Sequence, residues 1–222
     1  MAGRFFDEHQ RATVEAAMAR MIPTDDQPGA REAGTVEFVD RYLSGIGFIY
    51  AKPDGSGFET LAGKRAEAWR KRVDILRARY VEGVAELDRR SRAEFGADFV
   101  DLAPERQDRI LAAMERGGAA GAASTAPAYE LIPTAPSAAT GGEPALQQTS
   151  TETELDFVPL LAMHTRQGFY ADPIYGGNRD RVGWRVIGFP GPASLAEVHD
   201  GTYSTLAWFA EGQRQEESGH GA

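Results

Sequence analysis

The 222-residue chain contains no cysteine. That absence excludes disulfides, thiolate-bound zinc, cysteine-ligated iron–sulfur clusters and the C-x-x-C-H attachment of c-type haem by this chain. It leaves the redox compartment open. Positive charge is scarce as well. Lys and Arg number 24 against 33 Asp and Glu, giving a net charge of −9 and a pI of about 5.0. Such a balance opposes broad nucleic-acid binding and anionic membrane surfaces. No run is long and apolar enough to span a bilayer, so direct membrane insertion is not expected. The N-terminal MAGRFFDEHQRATVEAAMARMIP lacks the continuous apolar core of a signal peptide, and Arg89-Arg90 lies mid-chain with no apolar run behind it. The expected location is the cytoplasm, or the periplasm or a membrane-associated complex if the chain is exported with a partner or has lost a leader.

Chemical signatures are sparse in the same way. His9, His164, His199 and His220 form neither H-x-x-x-H nor H-E-x-x-H, so no metal site is expected. No G-K-[ST] occurs. Gly176-Gly177-Asn178 lacks both the G-x-G-x-x-G order and a preceding strand, so a tight turn needing positive φ accounts for the glycines better than a phosphate cradle. No bound cofactor is expected in this chain.

What is present is helical periodicity around one core, in a single domain spanning 1–222. Phe6, Asp7 and Gln10 read as staple, N-cap and capping-box partner of a first helix whose apolar face is Val14, Ala17, Met18 and Met21. Pro23 stops it. Thr35 starts a second helix with the stripe Val36, Val39, Tyr42 and Leu43. After the turn-rich YAKPDGSG, the spacing predicts a long helix from about Phe58 to Phe95, with Ala62, Trp69, Val73, Leu76, Tyr80, Val84 and Leu87 along one side. Mixed charges on its other faces read as a solvated surface.

A further helix begins near Pro104 and is expected to end at Gly117-Gly118. Residues 117–152, rich in Ala, Pro and Thr with three charges, read as a low-complexity insertion or linker whose one apolar island is Tyr129-Glu130-Leu131-Ile132. A fifth helix places Phe157, Leu160, Leu161 and His164 on one face. A short helix or turn is expected within ASLAEVHDGTYSTLAWFAEG, and residues 213–222 read as a flexible tail. The fold class is therefore all-α, an irregular helical domain carrying one long structured loop.

That loop, HTRQGFYADPIYGGNRDRVGWRVIGFPG at 164–191, is the unusual feature. Its rings alternate with glycine, proline and arginine at neither helix nor strand period. Aromatics and arginine are enriched at interface centres, while glycine and proline shape a loop. The expected partner-binding residues are Phe169, Tyr170, Tyr175, Asn178, Arg179, Trp184, Arg185 and Phe189, with Trp184 and Ile187 inward and some of the rest outward. Two alternatives stand beside this surface. One is a small acid–base enzyme using His164 and Asp172, and the other is a free-standing adaptor recruiting through 117–152.

GFYADPIYGGNRDRVGWRVIGFPG resembles the signature of the gluconate 2-dehydrogenase subunit 3 family. The likeness rests on Asp172-Pro173, Tyr175-Gly176-Gly177-Asn178, Gly183-Trp184 and Ile187-Gly188-Phe189-Pro190-Gly191 in that order. FFDEHQRATVEAAMARMIPTDDQPGAREAGTVEFVDRYL resembles the family's N-terminal helix, loop and second helix. Members commonly carry glutamate where this chain has Gln167, and many begin with a twin-arginine signal. The resemblance implies a non-catalytic small subunit that binds and stabilises a large subunit of the glucose–methanol–choline oxidoreductase type. That large subunit would hold FAD and oxidise a sugar, aldonate or polyol. In some complexes a multihaem cytochrome c subunit carries the electrons onward.

Overall fold

A computed structural model describes residues 4–119 and 151–204. The apolar island at 129–132 and the tail at 213–222 lie outside them.

Helix α1 (Glu8–Met21) opens with the capping box expected of it: the Asp7 carboxylate accepts the Gln10 amide at 2.8 Å, and Gln10 accepts the Asp7 amide at 3.2 Å. It buries Val14, Ala17 and Met18 and ends at Ile22, ahead of Pro23. Helix α2 (Thr35–Ser44) buries Val36, Val39 and Leu43. Its Asp40 is also buried, and Oδ1 accepts the backbone amides of Phe5 and Phe6 at 2.8 and 3.0 Å, fixing the path of the N-terminal segment.

Helix α3 (Gly63–Phe95) is 33 residues, about 50 Å at roughly 1.5 Å per residue. Val73, Leu76, Tyr80, Val84 and Leu87 form its buried side. It starts five residues later than the periodicity predicts, because Phe58 pairs with Ala51 in an isolated antiparallel bridge and its ring packs against Phe48 and Tyr175. Ala62 is consequently the exposed N-cap rather than a core position.

Helix α4 (Pro104–Ala119) runs through the glycine pair expected to end it and stops one residue beyond. Helix α5 (Phe157–Tyr170) occupies the middle of the assembly and touches each of α1 to α4. Gly83 makes room for it on α3, since a Cβ there would lie 2.1 Å from the Phe157 ring. The short α6 (Val182–Val186) and α7 (Leu195–His199) follow. Among the described residues no strand forms, so the all-α expectation holds.

Candidate functional site: a pinned aromatic loop and a buried polar chain

The segment after α5 is not a free loop. It is a chain of short helical turns pressed against the end of that helix. The Asp172 carboxylate accepts the Ile174 amide at 2.9 Å and caps the turn Pro173–Tyr175. Gly176 takes the left-handed conformation at φ +107°, as a tight turn requires. Gly177 is needed for another reason: a Cβ there would sit 2.1 Å from the Gly168 carbonyl oxygen. One at Gly183 would sit 1.9 Å from the Phe169 oxygen. Two backbones thus meet without side chains between them.

Asn178 closes the arrangement. It is fully buried, donates from Nδ2 to the Ala171 oxygen at 2.9 Å and accepts the Gly183 amide on Oδ1 at 2.8 Å. Three non-glycine residues here, Asn178, Asp180 and Arg181, have φ of 48°, 54° and 58°. Left-handed backbone costs such residues about 1–2 kcal/mol each, so the surrounding contacts over-determine the shape. Those contacts include the Arg179 amide on the Ala33 oxygen at 2.9 Å, with the Arg179 guanidinium lying over Gly34. Trp184 is buried, donates Nε1–H to the Tyr170 oxygen at 2.7 Å, and packs on Phe189 with ring centroids 5.4 Å apart.

The eight residues expected at a partner surface therefore divide. Phe169, Asn178 and Trp184 are 1 %, 0 % and 6 % exposed and staple the loop to its own domain, which corrects the expected surface place of Phe169 and Asn178 and agrees with the inward reading of Trp184. Phe169 is enclosed because it packs against Ala33 and Val182. Tyr170, Arg179 and Arg185 are exposed, and Tyr175 and Phe189 are half-buried. Ile187, expected inward, is 54 % exposed, because α6 ends at Val186 and leaves it at the C-cap.

His164 and Asp172 do not pair. Asp172 serves the turn described above, while both His164 ring nitrogens are engaged in the core. Nδ1 is 2.8 Å from the Tyr80 hydroxyl and Nε2 is 2.5 Å from Glu152 Oε1. Glu152 in turn pairs with Arg72 through Oε2, and the same oxygen accepts from the Tyr42 hydroxyl at 3.3 Å. Burial first, then the charge of Arg72, lower the His164 pKa to about 3. Burial raises that of Tyr80 well above its ordinary value. One assignment serves both ring nitrogens: Tyr80 donates to Nδ1, neutral His164 donates from Nε2 to Glu152, and Arg72 balances the carboxylate. With His164 0 % exposed, the chain braces α3, α5 and the turn at Thr151–Thr153 and presents no proton to solvent.

The profile of the gluconate 2-dehydrogenase subunit 3 family matches residues 8–191. The chain belongs to that family. No curated protein and no solved structure matches it. The gluconate 2-dehydrogenase subunit 3 match runs from the first residue of α1 to Gly191, so it takes in the whole pinned loop and stops before α7. Its name is that of a subunit of a dehydrogenase complex. No helix among the described residues is long and apolar enough to cross a membrane.

One constellation in this family member has no signal in sequence spacing. His9, Asp88 and Asp98 bring ligand-type atoms within 4.8 Å of one another. Protein groups already engage all three. His9 Nε2 lies 2.6 Å from Asp88 Oδ2, Asp88 Oδ1 accepts the Phe99 amide at 3.0 Å, and Asp98 Oδ1 accepts from Arg92. The cluster ties the start of α1 to the end of α3. Glu152, Arg72 and Tyr42 were equally invisible as partners of His164, because Glu152 lies at the end of the low-complexity stretch. Tyr80 and His164, by contrast, both fall on core-facing stripes, and that was the available clue.

Proposed function

We propose that this chain is a non-catalytic small subunit that binds and stabilises an FAD-dependent dehydrogenase of the glucose–methanol–choline type acting on a sugar, aldonate or polyol. The observation that carries the reading is the division within the pinned loop. Phe169, Asn178 and Trp184 lock its backbone, and Tyr170, Ile187, Arg179 and Arg185 are left outside on a surface that loses little entropy when covered. Flavin chemistry belongs to the large subunit, which would pass electrons to its acceptor, a multihaem cytochrome c subunit in some complexes. The acid–base alternative finds no support in the geometry, since the His164 ring is enclosed and Asp172 is engaged elsewhere.

The test is co-expression with the large subunit. The expected result is a co-purifying pair with several-fold more soluble, flavin-loaded dehydrogenase than the large subunit gives alone. Equal yield and flavin content with and without this chain would refute the proposal. Turnover of a polyol by this chain without any flavoprotein would revive the acid–base reading.

A further inference from the structure

Between α2, the start of α3 and the end of α5 lies a cavity of about 480 Å³, open to the surface. Phe38 and Tyr42 of α2, Phe48, Trp69 of α3, and Tyr170 and Tyr175 form most of its wall. The rings hold one another in place. Tyr42 meets Trp69 edge-on at 6.4 Å and stacks on Phe38 at 6.2 Å, and Phe58 wedges behind both Phe48 and Tyr175. Two of their polar handles are engaged within the protein: the Tyr42 hydroxyl donates to Glu152, and the Tyr175 hydroxyl accepts the Ala51 amide at 3.3 Å. The result is a preorganised, nearly apolar socket that does not collapse, with the Gln167 side chain exposed at its mouth.

No charged side chain of either sign lines the socket, and the charged groups that stand over the surrounding rings are arginines. Arg41 stands over Phe48 at 5.9 Å, Arg72 over Trp69 at 4.9 Å, and Arg65 over Tyr50 at 4.1 Å, with Tyr50 itself 5.8 Å from Trp69. Arg65 is more than half exposed, and its ion pair with Glu59 is long at 3.8 Å. Arg72 is already paired with Glu152, which leaves Arg41 and Arg65 beside the socket, and a rigid aromatic socket next to these cations complements a bulky apolar side chain next to a carboxylate.

We infer that this socket receives an anchor from the dehydrogenase large subunit: an aromatic or branched apolar side chain whose neighbour in sequence is Asp or Glu. The inference rests on the accessory-subunit reading and names the chemistry of the partner segment. Tyr170, 41 % exposed at the lip, joins the socket to the pinned loop, so one partner element can cover both.

The experiment titrates purified large subunit against the full chain at 50 mM salt and measures Kd. Gln167→Trp fills the mouth and Tyr170→Glu puts a carboxylate at the lip. Both positions are exposed, and circular dichroism checks that each variant is folded. Each is expected to weaken binding about thirtyfold, the loss of a typical anchor. Arg65→Glu should weaken it about tenfold, while Ile75→Ala, at an exposed position on α3 outside the socket, should leave it within twofold. If the wild type binds and the Gln167 and Tyr170 variants bind equally well, the socket inference is overturned and the accessory-subunit reading survives. No binding by the wild type sinks both. Unchanged or tighter binding by Arg65→Glu removes the acidic neighbour. Unchanged Kd with altered turnover of the complex assigns the socket to a small molecule and overturns the protein occupant.

Discussion

The buried histidine makes the protein acid-sensitive in a way that can be measured as a slope. In the native state His164 stays neutral down to about pH 3, whereas in the unfolded chain it takes up a proton near its ordinary value of 6.5. Between those values the unfolded state binds the extra proton, so acid draws the equilibrium toward unfolding. Stability from this group is complete above about pH 6.5 and drains away as pH falls. The interval corresponds to about 5 kcal/mol in all, close to 1.4 kcal/mol per pH unit while only the unfolded form is protonated. Urea denaturation of the wild type and of His164→Gln at pH 7.5, 6.0, 5.0 and 4.0 isolates this contribution, because carboxylate titration is common to both. The variant is expected to be less stable at pH 7.5, with Tyr80 and Glu152 short of a partner, and its stability should fall less steeply with acid by about 1.4 kcal/mol per unit. Parallel slopes would refute the reasoning, as would a native His164 resonance titrating near pH 6.5.

Other perturbations follow from the same contacts. Glu152→Ala leaves Arg72 facing a buried vacancy and should cost about 3–5 kcal/mol by urea denaturation, with Glu152→Gln costing less because shape and some hydrogen bonding remain. Gly183→Ala drives a methyl group into the Phe169 oxygen, so a marked fall in melting temperature is expected, and an unchanged one would show that the loop is not packed as described. His9 behaves oppositely to His164. Its hydrogen bond with Asp88 raises its pKa, so its contribution is complete below 6.5 and disappears as pH rises through the raised value. Comparing His9→Ala with the wild type across pH 6–9 should show the difference shrinking as pH rises, by a modest amount because this ring is 44 % exposed.

The parts of the fold written in local chemistry were legible from the residues. Asp7 and Gln10 announce the start of α1 because a capping box spans only four residues, and the α2 and α3 stripes follow from period alone. The start of α3 was misplaced because the Phe58 ring answers to Phe48 and Tyr175, contacts remote in sequence. Likewise the aromatic–glycine stretch was recognisable as special, but composition cannot say which rings point inward. That depends on Gly177 and Gly183 bringing two backbones together and on Asn178 bridging them. The ligands of His164 come from α3 and from the turn at Thr151–Thr153, so no spacing rule could have assembled them.

The account's central claim is that the outward side of the pinned loop is covered by a flavoprotein. Oxidative side-chain footprinting of this chain, alone and in the assembled complex, tests it most directly. The claim predicts that Tyr170 and Ile187 lose most of their reactivity on assembly while the equally exposed Ile75 and Val81 serve as references. Undiminished labelling of Tyr170 and Ile187 in a complex that nonetheless forms would contradict it.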